Sequence, residues 1–262
     1  MTRKPLLLAF ALCLALVPLA ADADDTSPEF SIDARVTLDA FRATVDARLE
    51  GILAVTRTLA ATEEARSGDW ARIRGPLAVL AAHAIEQAAV WYARPDGSYY
   101  TVDKGPTGES LRERGYFPEL LAGREVVGAL VISKSTGKRS VIVASPVLVD
   151  GKVSGAIGVS LDATKLSTSL DQAIRFPPDI VFYTLDREGR TALHRAGDLI
   201  FVFPSDVGSP TLSDAVRTML ARPEGVVHYE FGGSDKSALF ERSALTGWTL
   251  VLGKAHPARV RP

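Results

Sequence analysis

Residues 114–162 read RGYFPELLAGREVVGALVISKSTGKRSVIVASPVLVDGKVSGAIGVSLD, and this stretch decides the fold. It predicts a helix flagged by Tyr116 and Phe117 over residues 113–122, then three short antiparallel strands at residues 126–134, 139–149 and 152–161. The joints are Ser135-Thr136-Gly137 and Asp150-Gly151. An Asp-Gly pair between apolar runs is a strong hairpin signal, because the tight turns that match strand twist need positive φ at their centre.

Working outward, residues 33–65 place Leu38, Phe41, Val45, Leu49, Ile52, Val55 and Leu59 every three or four positions among charged residues. That spacing predicts an amphipathic helix of about thirty residues, roughly 45 Å long. One small module does not need such a length, so the helix is expected to run beside two modules or to pair with a second copy of itself. After Gly68, Asp69 is placed to cap a second helix with Trp70, Ile73, Leu77, Leu80 and Ile85 on one face, which Pro76 should kink or divide. Toward the C-terminus the pattern repeats. Val90-Trp91-Tyr92 leads to a turn at Asp96-Gly97, and Val181-Phe182-Tyr183 leads to one at Glu188-Gly189, about ninety residues on. A helix-forming stretch follows the second turn at residues 212–220, and strands follow at 237–244 and 247–252. Residues 162–175 read as a connecting helix ended by Pro177-Pro178. The period is too long for a solenoid and suits two tandem αβ modules.

The Arg-x-Tyr-Phe approach to the helix, the turn from Ser133 to Lys138, the Ala144-Ser145-Pro146-Val147 strand and the closing strand with Gly155-x-x-Gly158 together resemble the extracytoplasmic Cache sensor family. The final Gly247-Trp248 hairpin resembles the last strands of its double-Cache members, so the resemblance extends over residues 32–253. It implies an α+β fold with a long N-terminal helix and two PAS-like modules built on antiparallel sheets. The expected divisions are a leader at 1–23, the helix within 24–67, a distal-type, ligand-binding module at 68–165 and a proximal-type module at 166–262.

The same resemblance implies a site. In amino-acid-binding members an Arg and two aromatics hold the carboxylate, a strand aromatic closes the side and an Asp on the last strand holds the ammonium. Arg114, Tyr116 and Phe117 match the first group, whereas Val131 stands at the strand aromatic and Ser160 at the Asp. A guanidinium suits a carboxylate because two parallel charge-assisted bonds fix its plane as well as its charge. An ammonium facing only the Ser160 hydroxyl would lack a charge partner, so an α-amino acid should bind poorly. The expected ligand is a small carboxylate held by Arg114 and Tyr116, with Ser133 and Ser160 supplying neutral polar contacts. Trp91 and Tyr92 face opposite ways on one strand, and Trp91 is preferred for the pocket wall. Tyr116 and Phe117 would equally serve as core aromatics. In the second module Trp248 reads as core, Arg187, Arg190 and Arg195 as a solvated edge, and no ligand is assigned.

Residues 1–23 carry Arg3 and Lys4, an apolar run over 6–17, Pro18 and Ala21-Asp22-Ala23, the pattern of a cleaved secretory signal. The expected location is periplasmic, or membrane-anchored if the leader is retained. The single cysteine, Cys13, lies within that leader, so no disulfide is expected and the core must hold the fold by itself. The formal charge of −1 at pH 7 marks neither a nucleic-acid partner nor a polybasic membrane patch. The four histidines, His83, His194, His228 and His256, show no metal-ligand spacing. Ser135-Thr136-Gly137-Lys138 is a hairpin turn rather than a phosphate loop, because Ile132 and Arg139 occupy its other required positions. No catalytic motif, cofactor site or metal site is expected. The chain reads as a small-molecule sensing protein that relays occupancy to a membrane partner, whether a histidine kinase, a chemoreceptor or a transporter. The alternative is an interaction protein of the same fold whose pocket is filled by its own side chains and whose long helix pairs with a second copy or a partner.

Overall fold

The computed structural model describes residues 33–83 and 86–256. The leader and Ile85, both singled out above, lie outside them. Helix α1 spans Ala34–Ala60, and the Asp33 carboxylate caps it by accepting the Arg35 N–H at 2.7 Å. Its buried stripe begins as predicted with Leu38, Phe41, Val45 and Leu49, then continues through Leu53, Thr56 and Ala60. Ile52 is only half-buried and Val55 is 41% exposed. Apolar residues at 52 and 53 offered two ways to continue the stripe, and packing selected the one in line with Leu49. A short helix α2 (Glu63–Arg66) follows, then α3 (Trp70–His83), which runs unbroken through Pro76 and starts where Asp69 accepts the Ala71 N–H.

The first module contains β1 (Gln87–Ala93), β2 (Ser98–Thr101), β3 (Gly105–Ser110), α4 (Phe117–Leu121), β4 (Val126–Ile132), β5 (Arg139–Val149) and β6 (Lys152–Asp162). They form an antiparallel sheet in the order β3-β2-β1-β6-β5-β4. The helix expected from residue 113 is shortened to α4, and residues 112–116 are turns. Pro118 fits this: it takes the second helical position, where its missing N–H leaves no bond unmade, whereas a helix begun at residue 113 would lose a hydrogen bond there.

Helix α5 (Ala163–Ile174) connects the modules, capped by Asp162 and ended by Arg175 at φ 58° ahead of the two prolines. The second module follows with β7 (Ile180–Leu185), β8 (Thr191–His194), a 3₁₀ turn at Gly197–Leu199, α6 (Pro204–Val207), α7 (Pro210–Ala221), β9 (Glu224–Phe231), β10 (Ser234–Arg242) and β11 (Thr249–Ala255). Its sheet order is β8-β7-β11-β10-β9. In both sheets the first strand lies between the second and the last, so the repeat read from the sequence is a repeat of topology. The repeat is one residue out of phase with the matched triplets, however. Arg94 and Asp186 hold equivalent turn hydrogen bonds, which makes Trp91 the counterpart of Tyr183 rather than of Phe182. Side chains alternate sides along a strand, so this single-residue offset decides which aromatic lies on which face.

Each sheet turns one face to α1. Val90, Tyr92, Val143 and Val159 from the first sheet share a core with Phe182, Leu250 and Leu252 from the second and with the α1 stripe. The opposite, outer faces carry smaller cores beneath α4 and α7. Polar ties fasten α1 to both modules. Arg57 holds Glu125 bidentately at 2.7 and 2.8 Å, Arg42 pairs with Glu241 at 3.0 Å, and Ser243 donates to Asp46 at 2.6 Å. Trp248 is core as expected and also joins the modules. Its indole N–H donates to the Gly128 carbonyl at 3.2 Å, at a bulge in β4 where Gly128 takes φ 89° under the ring. No helix among the described residues is long and apolar enough to cross a membrane.

Candidate ligand-binding sites

Alternation along the strands brings the residues singled out in the first module to the outer face. Trp91 on β1, Tyr116 and Phe117 at the start of α4, and Val131 on β4 belong to one apolar cluster with Leu111, Leu120 and Ile142. Tyr92 faces α1 instead, so the facing argument separated the two aromatics correctly. Trp91 does not stand as a wall. Its ring lies flat against β6 over Gly158, where any Cβ would collide with the indole. Its Nε1–H donates to Ser160 Oγ at 3.2 Å, so the hydroxyl expected to face a ligand already accepts one bond from the protein. The Trp91 and Tyr116 rings are 6.5 Å apart, and both residues are buried. Burial pushes the Tyr116 phenol above its ordinary range, partly opposed by the positive charge of Arg114.

Arg114 is half-exposed at the rim of this cluster. One arm of its guanidinium donates to the Ile132 carbonyl at 2.6 Å, and it has no carboxylate partner among the described residues. Ser133 is buried, and its hydroxyl serves the hairpin turn by accepting the Thr136 N–H at 3.2 Å and meeting Ser135 Oγ at 3.2 Å. The structure therefore gathers Arg114, Tyr116, Phe117, Trp91, Val131 and Ser160 on one face and sets Ser133 at its edge, engaged with its own turn.

The second module holds what the sequence did not reveal. Between the outer face of its sheet and the 3₁₀ turn, α6 and α7 lies a cavity of about 250 Å³. Its floor includes Val181, Tyr183, Tyr229 and Phe231, and its roof includes Leu199, Val202, Pro204 and Leu212. Polar atoms are few. Tyr183 and Tyr229 hydroxyls meet at 3.2 Å, and the His194 ring stacks on Tyr183 with centroids 5.8 Å apart. The Ala196 N–H donates to His194 Nδ1 at 2.7 Å, which leaves the proton of the neutral ring on Nε2. Burial holds this imidazole down at about 4, partly opposed by the negative charge of Asp198. Desolvation likewise pushes both tyrosines up. Phe201, at φ 68°, fixes the roof by donating its N–H to Thr191 at 2.7 Å, while Arg190 lies over its ring at 5.1 Å.

The arginines read as a solvated edge are largely structural. Arg195 binds Asp171 at 3.1 Å and the carbonyls of Pro177 and Ile180 at 2.8 and 2.6 Å, and Arg190 pairs with Asp186 at 3.3 Å. His228 and His256, far apart in sequence, converge on Ser237 Oγ at 2.8 and 2.6 Å. Long-range convergence of this kind leaves no spacing signal. The cavity had only a faint one, in the alternation of Val227, Tyr229 and Phe231 along β9.

The fold is that of double-Cache extracytoplasmic sensor domains. The ligand-binding domain of the Pseudomonas aeruginosa PAO1 amino acid chemoreceptor PctB, in complex with L-Arg, superposes with a TM-score of 0.69 at 17% identity, covering 84% of this chain and 86% of that one. The extracellular domain of rpHK1S-Z16, assigned to a histidine kinase, gives 0.69 at 17% identity, covering 85% and 92%. The ligand-binding domain of the Pseudomonas fluorescens chemoreceptor CtaA, in complex with L-isoleucine, gives 0.61 at 16% identity, covering 84% and 88%. No family model matches the sequence, and no curated protein matches it.

Proposed function

We propose that this chain is an extracytoplasmic sensing protein that binds a small carboxylate on the outer face of its first module, residues 68–165, and relays occupancy to a membrane kinase, chemoreceptor or transporter. Three of the similar solved structures are the ligand-binding domains of two chemoreceptors, each with an amino acid bound, and the extracellular domain of an assigned histidine kinase. The observation that carries the reading is Arg114: a guanidinium with one arm on Ile132 O and no acid to neutralise it among the described residues, at the rim of a buried aromatic cluster. A carboxylate there gains charge-assisted bonds, whereas the ammonium of an amino acid meets only Ser160. Entry requires the Trp91 ring to lift from Gly158. Relay needs no chemical step, because α1 packs against both sheets and would transmit a shift of one to the other.

A second reading is favoured by the Trp91–Ser160 hydrogen bond, which fills the expected pocket from within. On that reading the chain is an interaction protein that pairs through the outward face of α1, where Ala43, Ala47 and Gly51 are exposed at helical spacing and would allow close approach of another helix. A thermal-shift screen of the purified, refolded chain against lactate, pyruvate and butyrate separates the two. A ligand at a hundredfold excess over Kd adds about 2.7 kcal/mol. A carboxylate-dependent rise that Arg114→Glu abolishes supports sensing; no rise, with dimerisation lost on Ala47→Trp, supports the interaction protein.

A further inference from the structure

The cavity of the second module lies on the face opposite α1, separate from the Arg114 cluster. Its chemistry is one-sided. The walls are mainly aliphatic and aromatic, and the polar side chains that line it, Thr191, Tyr183, Tyr229, His194 and Lys236, can all donate and include no anion. Tyr183 and Tyr229 share one hydrogen bond, and beyond it the Tyr183 hydroxyl reaches only the weak sulfur acceptor of Met219 at 3.9 Å, so one phenolic O–H can turn to a stronger acceptor. His194 keeps Nε2–H as its remaining donor, since the main-chain N–H of Ala196 occupies Nδ1. Lys236 lines the same cavity directly across the strand pair from Tyr229, and it has no carboxylate partner among the described residues. Lys236, Tyr229, Tyr183 and His194 thus form a continuous row: a cross-strand pair, a hydroxyl contact and a stacked ring. No Asp or Glu among the described residues lines the space.

Such a lining accepts an apolar body and an acceptor or anionic head, and offers nothing to pair with an ammonium. The backbone leaves room for it. Gly253, on the central strand β11, places no side chain beneath the Tyr229 hydroxyl, and Val181 is the cross-strand partner of Gly253. About 250 Å³ lies just below the usual range for pockets that take drug-sized molecules, which points to a smaller guest.

We infer that this cavity is a second ligand site, and that it takes a small monocarboxylic acid with an aliphatic or aromatic body, its carboxylate met by Lys236 and the row of neutral donors beside it. The inference stands apart from the first-module reading, because none of its residues belongs to the Arg114 cluster.

Titration of the full purified chain with hexanoate tests it, with hexanol and hexylamine as head-group controls. Hexanoate should bind saturably and raise the unfolding midpoint by several degrees at a hundredfold excess over Kd. Hexanol and hexylamine should bind at least tenfold more weakly. Val181→Phe, which fills the cavity, and Lys236→Glu should each weaken hexanoate at least tenfold. If Val181→Phe fails to fold, Lys236→Gln, a change on a partly exposed strand position, reads the same interaction. Hexanoate binding that survives Arg114→Glu but not the cavity variants supports the second site. Binding lost in Arg114→Glu and kept in Val181→Phe and Lys236→Glu overturns it in favour of the first module. Equal binding of hexanol overturns the assignment to an acid, and absence of hexanoate binding overturns the site altogether.

Discussion

The two modules share a strand order and both pack one sheet face on α1, yet their outer faces differ: the first is occupied by its own tryptophan and the second is partly hollow. The difference lies at counterpart positions. In the first module Trp91 is opposite Gly158 across the strand pair, so the indole can lie down on the sheet and reach Ser160. In the second, Tyr183 is opposite Val251, and its ring engages His194 and Tyr229 instead. One glycine decides whether an aromatic closes over the sheet or leaves space above it. Duplicated topology therefore does not imply duplicated sites.

The largest expected effect comes from breaking that contrast at its origin. Gly158→Val should destabilise the chain by about 3 kcal/mol or more, because a rigid indole over backbone cannot yield to a branched side chain. Gly253→Ala in the second sheet should cost about 1 kcal/mol or less, since its Cβ would lie 3.2 Å from the mobile end of Tyr229. Urea midpoints of the two variants measure this, and equal losses would remove the basis of the comparison.

Next comes pH. The folded state holds His194 at about 4 and the unfolded chain near 6.5, so between these values the unfolded state binds more protons. Stability therefore falls as pH drops from 6.5 to 4, by at most about 3 kcal/mol from this residue. Melting curves of the parent and His194→Gln across pH 4–7 should diverge in that window and run parallel above it. Parallel curves throughout would show that His194 is not desolvated by the cavity roof.

A smaller effect tests the filled face. Trp91→Phe removes the Ser160 hydrogen bond and part of the indole volume and should cost about 1–2 kcal/mol, read as a shift in urea midpoint at constant slope. The smallest expected effect is on the ties of α1. Arg57 and Glu125 form a bidentate pair, but they are substantially exposed, so Glu125→Gln should move the melting midpoint by about 1 °C or less and not at all in high salt. A large loss there would mean that α1 depends on its ion pairs rather than on its buried stripe.

Much of the fold was legible in the sequence because it rests on local rules. The meander of β4, β5 and β6 followed from Gly137 and the Asp150-Gly151 turn, the end of α5 from the prolines beyond it, and the start of α1 from apolar spacing. The misses were also local, but they were settled by competition. Pro118 delayed α4, and Leu53 displaced Ile52 from the buried stripe. The site was legible only in its parts. Alternation separated Trp91 from Tyr92, but no spacing rule could say that the indole would bond Ser160 or that Ser133 would turn its hydroxyl to Thr136.

The sequence alone determined the periods, turns and caps, and with them two antiparallel modules beside one long helix, because each of these depends on residues within a few positions of one another. Only the tertiary structure decided which outer face is filled and which is hollow. That outcome depends on cross-strand partners some seventy residues apart, Trp91 with Gly158 and Tyr183 with Val251, and on which residue's volume reaches a shared space first.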